Sequence, residues 1–353
     1  MVTFSQLLCC LISTALLALM CLPASAVALN PNANAAVKSN GPDYKFIAPS
    51  DKAWREFEVE YGFAPKQWSL PEKQTVTHVL NQIRAAHPEF FARAVASCRP
   101  LGLIRRHMTA DDNRDHRGRP VCLLTGVSTI EVDDSFFRTP SDFQVLAVTH
   151  ELGHLLDTAC IFSTSQAFLS VAQPILTRVH RLYGNQPYAP NDVELMVQGE
   201  EVARRAGLPT LDAAENLAEA FADCVAYYLV EGPKSVSAPV QKYIRQYVLK
   251  PDAKIEHARR LYVGAELATD DGDFDTAFRD LNDLLVEQPS MLDVHACRAR
   301  IWGFKHDFEM MAYEAHEELA LLQRRHIPRY HGTYERASDL LASAHEHVGF
   351  ARQ

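Results

Sequence analysis

The stretch HELGH, residues 150–154, sets two imidazoles four residues apart with a carboxylate directly after the first. On an α-helix, positions i and i+4 share a face, so His150 and His154 can aim at one ion. Glu151 then stands about 100° round the axis from His150, where it can meet a water beside the ion without ligating it. Zinc hydrolysis needs this arrangement, because Zn2+ lowers the pKa of water toward neutrality and a carboxylate takes the proton. Catalytic zinc keeps one coordination position open, so a third protein ligand must come from elsewhere in the chain. Gly153 lies between the histidines, where it costs about 1 kcal/mol of helix propensity relative to alanine. A close approach by another element would account for it.

Residues 215–229, ENLAEAFADCVAYYL, offer the missing donor. Read as one helix over about Leu211–Val230, they place Glu215, Glu219 and Asp223 in an i, i+4, i+8 row on an otherwise apolar segment. Three like charges in a row repel unless a cation lies beside them. Zinc with its histidines would be that cation, and either Glu219 or Glu215 can be the third ligand.

HELGH followed by Glu219-Ala220-Phe221-Ala222-Asp223 resembles the gluzincin metallopeptidases, whose second motif reads E-x-x-[SA]-[DE]. The resemblance implies that Glu219 binds zinc and that Asp223 orients His150 by accepting its free ring N–H. It also implies Glu151 as general base. The tail Ala226-Tyr227-Tyr228-Leu229 is similar to that of small gluzincins. In the rival register, Glu215-Asn216-Leu217-Ala218-Glu219 also reads E-x-x-A-E and resembles the zinc helix of the anthrax lethal factor family, with Glu215 as ligand. The family further implies a strand before the zinc helix that can pair with an extended substrate. The segment Thr125–Val132 fits, and an ordinary edge strand is the alternative. His180, Tyr183 and Tyr188 lie where an oxyanion-supporting residue would stand, and nothing selects one. Asp157, one turn beyond His154, is read either as a buttress of that helix or as a surface aspartate.

The elements that must position these groups read as follows. The fold class is α+β, mostly helical: a zincin-like catalytic domain with a small sheet over 51–250, then tetratricopeptide-like helical hairpins over 255–353. Asp51–Leu103 is helical in pattern, 108–119 a polar loop, and Val121–Val132 extended. Thr139-Pro140-Ser141-Asp142 starts the HELGH helix, which is expected to reach about Cys160. Further helices are expected to break at Pro174, Gly184-Asn185, Pro187 and Pro190. From Ile255 the character changes. GDFDTAFRDLNDLLVEQ (272–288) aligns with HDFEMMAYEAHEELALL (306–322) at an offset of 34, matching Asp273 to Asp307. That period is similar to tetratricopeptide repeats, although the second copy lacks the glycine and closing proline. A generic pair of helical hairpins is the alternative.

Residues 1–26 hold no Lys, Arg, Asp or Glu and run from an apolar stretch into Pro23 and Ala24-Ser25-Ala26, the pattern of a cleaved secretory signal. Export to the periplasm or the medium follows as the expectation, with residues 27–50 as a flexible leader and no membrane span after signal removal. A net charge of −9 argues against nucleic acid as the main partner. The arginines between Arg99 and Arg119 read as a solvated loop. Outside the signal stand Cys98, Cys122, Cys160, Cys224 and Cys297. Two zinc helices converging on one ion suggest a Cys160–Cys224 disulfide, with Cys98–Cys122 as a second pair and Cys297 free.

Two functions are consistent with these residues. One is an exported zinc peptidase acting on a protein or peptide. The other is an inactive zinc-containing binding protein whose repeats recognise a protein partner. Glu151 separates them, because a structural zinc site has no use for a general base.

Overall fold

A computed structural model describes residues 61–63, 68–96, 101–108, 121–183, 193–327 and 332–351. The expected signal and leader, the polar loop beyond Met108, Cys98 and Tyr188 lie outside the described residues. The fold is mostly helical with one small sheet. No helix among the described residues is long and apolar enough to cross a membrane.

The sheet has four strands in the order β1 (Tyr61–Phe63), β2 (Leu101–Arg105), β4 (Thr129–Val132), β3 (Cys122–Thr125). β1, β2 and β4 run parallel, and β3 is antiparallel to β4. The helical reading of 51–103 is therefore corrected at both strands. Their pairing is long-range, and three to five residues are too few to display a period. The single extended run 121–132 is in fact a hairpin, turned at Gly126 with φ 62°. Consequently β3, like β1 on the far side, is an edge strand, while β4 is internal.

Helices α1 (Leu70–Ala86) and α2 (Pro88–Val95) join β1 to β2. A capping box of Ser69 and Glu72 opens α1. The HELGH helix is α3, Ser141–Leu156, beginning where the Thr-Pro-Ser-Asp signal puts it. It stops before Cys160 because Ala159 and Cys160 take φ 58° and 52°, a left-handed turn that no α-helix continues through. Next come α4 (Gln166–Tyr183) and α5 (Val193–Ala206). Pro174 lies inside α4 without breaking it, flanked by the buried Ala172 and Leu176. Packing of those neighbours offsets the lost hydrogen bond.

α6 spans Leu217–Val230, not Leu211–Val230. Asn216 is its N-cap, its side-chain oxygen accepting N–H bonds from Ala218 and Glu219 at 2.8 and 3.0 Å. Glu215 thus precedes the helix, and the carboxylate row of the sequence reading is broken. Phe221 on α6 is fully buried against Phe162 and Phe168, with both ring centroids 5.6 Å away. α7 (Ala238–Tyr243) continues as a π-turn to Val248.

Among the described residues, five helices follow: α8 (Ala253–Asp270), α9 (Phe274–Glu287), α10 (Val294–Phe304), α11 (Phe308–Arg324) and α12 (Gly332–Ala351). The 34-residue offset is visible in their caps. Asp273 caps α9 by accepting the Thr276 N–H, and Asp307 caps α11 by accepting the Met310 N–H. Gly272 before the first cap has φ 78°, and His306, its counterpart at the same offset, holds φ 58° without being glycine. Residues 48–353 form one compact unit. The largest core joins the sheet and α1–α4 to Leu321, Leu322 and Ala337 of the C-terminal helices and to Leu292 and Ile327 of the segments between them.

No disulfide joins Cys160 to Cys224, and Cys122 and Cys297 are also free thiols. Cys224 points into the main core from α6, whereas Cys160 sits in the turn after α3 and reaches Asp293. Two helices can converge on one ion while residues one or two turns away diverge.

Candidate metal centre

α3 and α6 cross where Gly153 meets Ala222. A Cβ on Gly153 would lie 3.0 Å from the Ala222 Cα and 3.3 Å from its Cβ, so only glycine allows this approach unstrained. The crossing sets the HELGH face against the face of α6 that carries Glu219, Asp223 and Tyr227, successive turns of one stripe.

His150, His154 and Glu219 each bring one donor atom into a single cluster within 4.8 Å. The Nε2 atoms of the two histidines are 2.9 Å apart, and Glu219 oxygens lie 3.2 Å from His150 Nε2 and 3.4 Å from His154 Nε2. Two zinc bonds of about 2.0–2.1 Å at the tetrahedral angle subtend an edge of about 3.3–3.4 Å. The histidine pair is somewhat tighter than that, and each histidine meets a different Glu219 oxygen near that separation, Oε2 for His150 and Oε1 for His154. Glu215 is not in the cluster. It lines the same cleft from the segment ahead of α6.

Donor chemistry fits as well as geometry. The Nδ1–H of His150 donates to Asp223 Oδ1 at 2.6 Å, so Nε2 is the nitrogen that would be offered to an ion. Asp223 is itself held by the Thr210 hydroxyl, and the Ala213 N–H donates to that hydroxyl oxygen at 3.0 Å. Without a metal, the cluster can only share protons. Burial works against charge on His150, yet Asp223 and Glu219 outweigh it and hold its pKa well above the ordinary histidine value. His154 is also raised, burial being overcome by Glu219. Glu219 is pulled well below the usual carboxylate range by the two histidines, against the opposing effect of burial. The negative potential that draws protons to these imidazoles would equally favour a divalent cation.

Glu151 is buried beside the cluster but belongs to no ligand set in it. Burial pushes its pKa up, while His150 and His154 pull it back. Its Oε2 accepts the Leu124 N–H at 2.8 Å. The Asp133 N–H donates to Val121 O, so ladder bonds fall at residues 121, 123 and 125 of the hairpin arm. Cys122 and Leu124 therefore turn their backbone groups away from β4, and the Leu124 N–H meets the carboxylate.

These groups line a cleft of about 960 Å3. One wall is β3, α3 and the start of α6. The other carries Tyr262, Glu266, Arg300 and Arg336 from the C-terminal helices. Asp157 lines the cleft too, and it is buried, accepting the N–H groups of Phe162 and Ser163 at 2.8 Å each. Burial raises its carboxyl to about 6. Of the oxyanion candidates, His180 bonds the Ala214 carbonyl at 2.5 Å.

Sequence reasoning missed Thr210 and Tyr227. Tyr227 lines the cleft one turn beyond Asp223, and burial raises its pKa, keeping the hydroxyl protonated as a donor. The i+4 spacing from Asp223 could have found it. Nothing local marks Thr210, which reaches Asp223 from an irregular segment.

No protein-family model, curated protein or solved structure matches this chain.

Proposed function

We propose that the protein is an exported zinc-dependent peptidase of gluzincin type, with a zincin-like catalytic part followed by tetratricopeptide-like hairpins. The observation that carries this reading is the convergence of His150, His154 and Glu219, with Asp223 behind His150 and Glu151 beside the cluster but outside the ligand set. His150, His154 and Glu219 would hold the ion, leaving a coordination position open. Zinc, when bound, supplies a Lewis acid that polarises a carbonyl and acidifies water.

The chain's own groups do the rest. Glu151 takes a proton from the attacking water and passes it to the leaving amine, so the water's hydroxyl ends on the carbonyl carbon and the amine departs neutral. Asp223 fixes the ring orientation and tautomer of His150. The Tyr227 hydroxyl is available as a donor to the oxyanion. The outward carbonyl of Leu124 and the outward backbone groups of Cys122 line the cleft on the β3 side, where an extended peptide backbone can pair, the Leu124 N–H being taken by Glu151.

Metal analysis of the purified protein tests this reading, together with peptide-library cleavage by wild type and Glu151→Gln. About one zinc per chain and cleavage by wild type alone are expected. Absence of zinc from a folded wild-type protein supplied with Zn2+ refutes it. Zinc without cleavage of any library member favours the inactive binding protein instead.

A further inference from the structure

Arg259, on α8, has no exposed surface, although α8 belongs to the C-terminal helices and not to the HELGH region. Its Nη2 donates to the carbonyl of Leu155 at 3.0 Å, and Leu155 directly follows the ligand candidate His154. Its Nη1 donates to the Arg93 carbonyl at 3.0 Å, and Nη2 also reaches the Ala94 carbonyl at 3.5 Å. Leu155 lies in the last turn of α3; Arg93 and Ala94 lie in the last turn of α2. Carbonyls at a helix C-terminus carry partial negative charge and can accept a second bond; Leu155 O already takes the Thr158 hydroxyl at 2.6 Å and Arg93 O the Ala96 N–H at 3.3 Å. One guanidinium thus closes two helix ends at once.

The guanidinium is itself held. Glu256, one turn earlier on α8, accepts from Arg259 Nη1 and from Arg93 Nε at 2.8 Å each. Beyond Leu156 the chain turns through the left-handed Ala159, which is buried with Ala258 and Tyr262 of α8. The end of the HELGH helix is therefore gripped by α8 at the Leu155 carbonyl and at the turn after it.

We propose that Arg259 is a positioning residue for the metal centre, fixing through the Leu155 carbonyl the last turn of α3 and with it the direction of the His154 ring. This rests on the zinc reading above. A buried arginine that merely stabilised the fold would alter melting and leave the zinc affinity of folded molecules unchanged. A positioning residue alters that affinity directly.

The test is the zinc dissociation constant, measured by competition with a chromophoric chelator, alongside the thermal melt. Wild type, Arg259→Met, Arg259→Lys and Leu281→Ala are compared at a temperature where each is folded. Leu281, buried in α9, is the control for destabilisation within the C-terminal helices. Arg259→Met is expected to weaken zinc binding about tenfold or more, the range seen for outer-sphere partners of metal ligands. Arg259→Lys should recover part of the loss, and Leu281→Ala should keep wild-type affinity while melting lower. Wild-type affinity in Arg259→Met, or an equal loss in Leu281→Ala, overturns the proposal. Should the methionine variant fail to fold, Arg259→Lys decides: weakened binding supports the role, and unchanged binding overturns it. If wild type itself takes up no zinc, it is the underlying metal reading that fails.

Discussion

Glu151 and Glu219 are both carboxylates beside the same histidines, and their surroundings differ. Glu219 faces both imidazoles within 3.4 Å, while Glu151 is tethered to a strand N–H. Glu151→Gln should therefore retain zinc by atomic absorption and lower peptide turnover by about 10²–10⁴-fold, the usual worth of a general base. Glu219→Ala should lose the metal, and Glu215→Ala should keep it. The opposite pattern would restore the rival register. Asp157 makes a pH-dependent case. Its folded pKa, about 6 against 3.8 for an ordinary aspartate, is raised. The folded state then binds the extra proton, so this contribution to stability is full below the unfolded value and is lost as pH rises through about 6. Asp157→Asn keeps an oxygen for the Phe162 and Ser163 N–H groups and removes the buried charge. By urea denaturation it should be more stable than wild type by about 1–3 kcal/mol at about pH 7.5, with the gap closing near about pH 4.

At the scale of elements, the centre depends on how closely α3 and α6 approach. Gly153 has no room for a side chain because the Ala222 backbone stands 3.0 Å from where its Cβ would be. Gly153→Ala raises helix propensity, yet it must push the two helices apart by a few tenths of an ångström. The expected result is a loss of about 1–3 kcal/mol, read from chemical denaturation, together with weaker zinc binding. Greater stability in this variant would show that the crossing is looser than the contact implies. The approach itself follows from small residues on α6: Ala218 and Ala222 stand on the side of the helix that faces α3 and the cleft. The large side chain of Phe221 points instead into the core with Phe162 and Phe168.

For the molecule as a whole, the C-terminal helices are both part of the scaffold and a wall of the cleft. They share the main core through Leu321 and Leu322, and they contribute Tyr262, Glu266, Arg300 and Arg336 to the cleft lining. A substrate at the centre would lie against them. Calorimetry should accordingly give one unfolding transition for the 48–353 unit, not separate melts for the HELGH region and the hairpins. Zinc at about 100 times its dissociation constant should add about 2.7 kcal/mol and move that single transition upward, and chelation should reverse the shift. Two transitions, only one of them responding to zinc, would contradict the shared core.

Local features were legible without a structure because they rest on short-range periodicity and capping. The spacing of His150 and His154 puts them on one face of any helix, and Pro140-Ser141-Asp142 marks where that helix begins. The recurrence of Asp273 at Asp307 marks equivalent helix starts. Long-range contacts were not legible, since no residue pattern along the chain encodes which distant segment will pack. That Glu219 and not Glu215 stands with the two histidines turned on Asn216, whose side chain caps α6 and leaves Glu215 outside the helix. The strands at Tyr61 and Leu101 exist only because they pair with each other and with β4. Arg259 lies 104 residues from the carbonyl it holds. Read alone it is one more arginine on an amphipathic helix. Only the docking of α8 against the ends of α2 and α3 strips it of water and makes those carbonyls its partners, because a buried guanidinium must find acceptors wherever the packing places it.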